Sequence, residues 1–164
     1  MATTSAPSSA GLPPTSGGTT VVPCLLVDDM PSALAFYADA LHLRLLWASG
    51  ATSTSVPVDD VARRGEVEFG ILRGAGGAEV MLQLRTPLAT SGYLPEGTVA
   101  TTPPQGTPLT LYIRGVDVDA AVAGLPPSVE VLVPPRNMPY GSRELTLRDP
   151  AGHVVILCCP TGDK

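Results

Sequence analysis

The chain runs twice through one order of elements: strand, helix, strand, strand, strand. A proline-rich break separates the two runs, and few folds accommodate such a repeat. In the first run, residues 21–27 form a short apolar stretch of the kind that makes a buried strand. Asp29 is placed to cap a helix, with Pro31 in its first turn. Ala33, Phe36, Tyr37, Ala40 and Leu41 then recur at i, i+3, i+4, i+7 and i+8, which predicts a three-turn helix with one apolar face. Residues 43–47 read as the second strand. Residues 48–65, rich in Ser, Thr and Asp, read as an exposed excursion. Residues 66–71 alternate polar with apolar, and Gly74, Gly76 and Gly77 mark a hairpin before a fourth strand at 79–85.

The second run follows a linker at 86–106 that holds four prolines. Residues 109–114 form a strand, Asp117 opens a short helix, and Pro126-Pro127 stops it. Residues 129–133, 143–148 and 153–159 supply three more strands, with a tight turn at Asp149-Pro150-Ala151-Gly152. Laying Asp29 on Asp117 brings Ala33 onto Ala121. The expected class is α+β: two βαβββ modules, 21–85 and 107–160, whose strands form a curled mixed sheet around a shared cleft. Both modules belong to one domain, 21–160. Residues 1–20, with no charged side chain, are expected to be a disordered tail.

Composition narrows the function classes. The net charge of −5 argues against the basic surface that nucleic-acid binding needs, and it is compatible with a cationic ligand. No apolar run approaches a membrane span, and the N-terminal segment lacks the basic start and apolar core of a secretory signal. Three cysteines, Cys24, Cys158 and Cys159, are an odd number, and two of them are adjacent. This suggests buried free thiols and a reducing, cytoplasmic setting rather than a disulfide framework.

Val27-Asp28-Asp29, Ala33, Phe36-Tyr37 and Leu41 resemble the first-module signature of the glyoxalase, bleomycin-resistance and dioxygenase superfamily, the vicinal oxygen chelate fold. Pro139-Tyr140-Gly141-Ser142-Arg143-Glu144 and Asp149-Pro150-Ala151-Gly152-His153 resemble its bleomycin-resistance branch. The likeness spans about residues 20–160, excluding the excursion. Three positions depart from the pattern. His42 stands where the family usually has a glycine in the left-handed region, Tyr140 where it often has Trp, and His153 where it often has Asn.

In metal-dependent relatives, the ligand positions lie on the first and last strand of each module. Carried over, they are Val22, Gln83, Thr110 and Ile156, of which Gln83 is the one credible donor. A shift of one residue offers no ligand either. No metal and no cofactor are therefore expected, and no catalytic residue is assigned. Glu144 is expected near a loop in a surface role, and His42 and His153 at a helix end and after a turn. Alternation puts Met81 and Gln83 on one face of their strand and Thr110 and Tyr112 together on theirs. The resemblance turns Gln83, Thr110 and Tyr112 toward the cleft, with Trp47 and Tyr140 at its rim. Such a lining suits a small organic ligand. The leading expectation is thus a metal-independent binding protein, acting as a homodimer as bleomycin-resistance proteins do, with no nucleic-acid or membrane partner. The alternatives are a divergent lyase, isomerase or dioxygenase-like enzyme, and a regulatory or scaffold module that keeps only the fold.

Overall fold

The computed structural model describes residues 21–51, 54–85 and 109–161. The expected tail at 1–20 and linker at 86–106 lie outside the described residues. The first run contains strands β1 (Cys24–Val27), β2 (Arg44–Ser49), β3 (Phe69–Arg73) and β4 (Glu79–Leu84). The second contains β5 (Thr110–Arg114), β6 (Glu130–Asn137), β7 (Ser142–Arg148) and β8 (Val154–Pro160). Helix α1 (Met30–Leu34) follows β1 and helix α2 (Val118–Gly124) follows β5.

The predicted three-turn helix takes two forms. After α1 the chain widens into a π-helical stretch, Ala35–Ala40, in which the Leu41 amide reaches back five residues to the Phe36 carbonyl at 3.0 Å. Both Phe36 and Tyr37 are buried there, with their rings edge to face at 5.0 Å. Asp29 occupies the N-cap position of α1, but its carboxylate accepts from the Ser32 hydroxyl and not from a helix amide. Asp117 does cap α2, accepting from the Ala120 amide at 3.0 Å. His42 has φ of 55°, the left-handed conformation that the family pattern assigns to glycine. The third strand begins at Phe69, later than expected, because residues Val61–Glu66 form a 3-10 turn.

The expectation of one curled mixed sheet around a cleft is corrected by the strand pairing. The strands form two separate four-stranded sheets, ordered β1-β4-β3-β2 and β5-β8-β7-β6. Among the described residues no strand of one sheet pairs with a strand of the other. Each sheet has a parallel pair, β1 with β4 and β5 with β8, and two antiparallel pairs. The parallel pairing leaves β1 and β5 at edges. Another edge, β6, carries Pro134-Pro135, which have no amide hydrogen with which to extend a ladder. Among the described residues, closure is therefore not supplied by backbone hydrogen bonds.

What unites the halves is side-chain packing. Leu25, Val27, Val80 and Leu82 of the first sheet and Leu145, Leu147, Val155 and Leu157 of the second share one apolar cluster with Met30, Ala33, Leu34 and Tyr37. Within that core the Tyr37 hydroxyl donates to Asp149 Oδ2 at 2.8 Å, across 112 residues of chain. Asp149 Oδ1 accepts the amides of Ala151 and His153 at 3.0 and 2.6 Å, so one buried carboxylate both shapes its turn and joins the halves. Burial and the adjacent carboxylate push the Tyr37 phenol far above its ordinary pKa, so it remains a donor.

Tyr37→Phe removes a donor to a buried carboxylate and is expected to lower stability by about 1.5–3 kcal/mol. It should read as a lower urea midpoint with an unchanged slope. His42→Gly acts in the opposite direction. Relief of about 1–2 kcal/mol of left-handed strain outweighs glycine's chain-entropy penalty of about 0.5–1 kcal/mol, so the thermal midpoint should rise.

Candidate functional site on the outer sheet faces

Because strand side chains alternate, each sheet turns one face to the common core and the other away from it. On the first sheet the outward residues fall into two cross-strand rows: Trp47, Ile71, Met81 and Cys24, then Ser49, Phe69, Gln83 and Leu26. The large side chains of these rows lie outside the shared core cluster. Trp47 and Phe69 pack edge to face with ring centres 5.7 Å apart, and Ile71 beside them is only 2% exposed. The Trp47 indole nitrogen is buried and has no hydrogen-bond partner among the described residues. Such an orphan donor costs about 1–3 kcal/mol, so this aromatic pair is not arranged for stability alone. The Gln83 side-chain amide donates to the carbonyls of Glu68 and Leu84 at 3.0 and 3.1 Å, which fixes its orientation.

The second sheet's outer face is more polar. One row is Thr110, Val154, Arg148 and Glu130, the next Tyr112, Ile156, Thr146 and Val133, and the third Arg114, Cys158, Glu144 and Arg136. Glu144, 7% exposed, is the hub of the third row. Its Oε1 accepts hydrogen bonds from the hydroxyls of both Tyr112 and Tyr140, the second at 2.8 Å. These phenols, with Ser142 and the nearby charge of Arg136, hold the Glu144 carboxyl below its ordinary pKa. The bond to Glu144 in turn pushes Tyr112 up to about 12, and Tyr140 is raised for the same reason. A carboxylate that stays ionised and phenols that stay protonated form a hydrogen-bonding surface near neutral pH rather than a proton-transfer pair.

The residues expected to bind ligand therefore divide between two places. Trp47, Met81 and Gln83 lie together on the first sheet's outer face. Thr110 and Tyr112 lie on the second sheet's, and Tyr140 reaches the same face from the β6–β7 turn through Glu144. The core stands between the two groups, and no hydrogen bond or ring contact among the described residues joins them. Two concavities, of about 410 and 230 Å³, lie elsewhere, and none of the six residues lines either.

Phe69 and Arg136 escaped the sequence reading. Glu144 lies near the β6–β7 turn as expected, but within β7 and buried, not in a surface role; its signal was the Leu145 and Leu147 alternation, which turns Glu144 and Thr146 to the other face. Of the cysteines, Cys158 is buried and Cys159 partly so, but Cys24 on edge strand β1 is exposed, contrary to expectation. The side chains around Cys24 nevertheless raise its thiol pKa, so it gains no thiolate character. His153 receives the Leu109 amide on Nδ1 at 3.2 Å, a structural contact at the start of β5.

A divalent ion does not fit the carried-over positions. Val22 and Ile156 have no donor atom, Thr110 offers a neutral hydroxyl, and Gln83, whose Nε2 donates to two backbone carbonyls, offers only its neutral Oε1, too few and too weak a set of donors for a divalent ion. Among the described residues no group of three or more His, Cys, Asp or Glu side chains gathers to hold a metal. No helix among them is long and apolar enough to cross a membrane.

Residues 19–157 match the family described as the Glyoxalase/Bleomycin resistance protein/Dioxygenase superfamily. Among solved structures, the chain resembles TioX from Micromonospora sp. ML1 at 20% identity. That alignment covers 87% of this chain and 99% of the other, with a TM-score of 0.59. It resembles TnmS3, an antibiotic binding protein from Streptomyces sp. CB03234, at 24% identity over 87% and 97%, with a TM-score of 0.55. A lactoylglutathione lyase from Agrobacterium tumefaciens is similar at 18% identity over 87% and 94%, with a TM-score of 0.57. At these identities the likeness concerns the fold. No curated protein sequence matches the chain.

The Glu144 network makes a direct prediction. In Glu144→Gln the acceptor loses its charge, so Tyr112 should ionise nearer its ordinary pKa than at about 12. An ultraviolet titration of tyrosinate should show a class of tyrosines moving to lower pH relative to wild type. No movement would mean that the hydrogen bond does not form in solution.

Proposed function

The chain belongs to the Glyoxalase/Bleomycin resistance protein/Dioxygenase superfamily, and from that premise we propose that it is a metal-independent binding protein for a small organic molecule. The carrying observation is the pair of outer sheet faces. They hold aromatic and hydrogen-bonding side chains outside the core, and of the four positions that bear metal in enzymes of this fold only Gln83 holds a credible donor. A flat ligand on the first face would lie against Trp47, Phe69 and Met81 with Gln83 at its margin. On the second it would meet Tyr112, Thr110 and Tyr140. The similar fold of TnmS3, named an antibiotic binding protein, favours an antibiotic-like molecule as the occupant.

The protein acts as a homodimer on this reading. The two faces point away from a shared core, so one copy cannot close them over a ligand. A second copy related by a twofold axis brings the apolar first face of one chain opposite the polar second face of the other, twice over. The enzymatic alternative is disfavoured by the same chemistry: on the second face Glu144 is held ionised and Tyr112 and Tyr140 are held protonated, so none of the three trades a proton readily near neutral pH.

Trp47 is the only tryptophan in the chain, so intrinsic fluorescence reports directly on the first face. Titration with a panel of aromatic antibiotics should quench or shift Trp47 emission. Met81→Ala and Gln83→Ala should weaken binding several-fold without changing circular dichroism. Sedimentation should give a dimer. Absence of any response or heat across the panel sinks the reading, and stoichiometric Ni, Zn, Mn or Fe in protein purified without chelator would favour the lyase or isomerase alternative.

A further inference from the structure

The charge of the second sheet's outer face differs from that of the chain. All nine arginines are among the described residues, and six of them lie within 4 Å of a carboxylate. Three, Arg44, Arg114 and Arg136, have no carboxylate within that distance among the described residues. Two of these three stand in one cross-strand row, Arg114 on edge strand β5 and Arg136 on edge strand β6, with Cys158 and Glu144 between them. At ordinary strand spacing their backbones are about 14 Å apart, roughly the length of three fused aromatic rings with a substituent. The one carboxylate in the row, Glu144, already accepts two phenols. The remaining charged pair on this face, Arg148 with Glu130 at 3.0 Å, is neutral overall. Three guanidiniums thus face two carboxylates, a positive excess on a protein whose net charge is −5.

The adjacent row, Tyr112, Ile156, Thr146 and Val133, is an apolar strip with hydroxyls, and it crosses the full width of the sheet. A flat molecule laid on that strip presents one long edge to the arginine row. We propose that this face selects an aromatic ligand bearing an acidic group, a carboxylate, sulfonate or phenolate, on that edge. Arg114 or Arg136 receives the anion and the strip receives the rings. This inference rests on the binding reading above and specifies its ligand. Guanidinium suits the task because it stays charged and offers a planar fork of donors to an anion's oxygens. Glu144 limits the choice. It repels an anion placed over the centre of the row.

A matched pair of dyes tests the proposal: anilinonaphthalenesulfonate and its uncharged parent, phenylnaphthylamine, with proflavine as a cation of comparable ring area. Wild-type protein should bind the sulfonate at least tenfold tighter than the parent, and the preference should shrink with added salt. The double variant Arg114→Ala, Arg136→Ala should lose that preference while still binding the parent. Glu144→Gln should bind the sulfonate more tightly, because a like charge is gone. An unchanged preference in the double variant overturns the proposal, as does tighter binding of proflavine than of the sulfonate. Dissociation of a dimer by the arginine substitutions with dye binding intact also overturns it, since the guanidiniums would then serve a second copy. If none of the three dyes binds wild-type protein, the binding reading itself fails, an outcome distinct from loss of charge preference alone.

Discussion

The buried bond between Tyr37 and Asp149 is the contact on which the arrangement of the two halves depends. A carboxylate cannot be left in an apolar core without partners, and Asp149, 3% exposed, has three: two amides of its own turn and the phenol of Tyr37. Those partners come from opposite ends of the sequence, so the turn before β8 and the π-helical stretch after α1 must meet. Once they meet, the inner faces of both sheets are committed to the same core. The outward faces follow by alternation, with no further choice left to the chain.

This commitment explains why the strands do not form one continuous sheet. Closure within a chain would need edge-to-edge hydrogen bonding between the halves. Here the halves are instead joined through side chains behind the sheets, and the edges stay separate, one of them blunted by Pro134 and Pro135. The outer faces then contain what packing did not absorb: Trp47 against Phe69, and two tyrosines on one glutamate. A protein stabilised only by its core has no need of either arrangement.

Much of the fold was legible because it rests on local rules. The repeated element order, the Asp117 cap and the turn at residues 149–152 each follow from a few adjacent residues, while the left-handed conformation at His42 was implied by the family pattern. The position of one half against the other was not legible, because it is set by Tyr37 meeting Asp149 over 112 residues. Asp29 does stand at the N-cap, but its carboxylate takes the Ser32 hydroxyl instead of a helix amide, a choice between two local donors that spacing does not decide. At the candidate site, strand alternation correctly grouped Met81 with Gln83 and Thr110 with Tyr112. It could not reveal that Glu144 would accept both Tyr112 and Tyr140, since the three residues come from two strands and a turn. Nor could spacing predict Arg136 in the same row, because the irregular register of β6 around Pro134 and Pro135 determines which residue faces Glu144.

Whole-chain charge and local charge differ in sign on this protein. A net charge of −5 taken alone favours a cation, and long-range attraction does scale with that sum. Contact is decided over a shorter distance. The Debye length is about 8 Å at physiological ionic strength, so a ligand seated on the second sheet responds chiefly to the side chains beneath it. There the acidic residues are already engaged, Glu130 by Arg148 and Glu144 by two phenols, while Arg114 and Arg136 have no carboxylate within ion-pair distance among the described residues. Most of the chain's carboxylates lie outside this face: Asp39, Asp28 and Asp119 are tied to arginines elsewhere, and Asp149 is buried. An acidic protein can therefore present a basic row where it matters. The sign of the ligand is set by which charges remain unpaired on the face, not by the total.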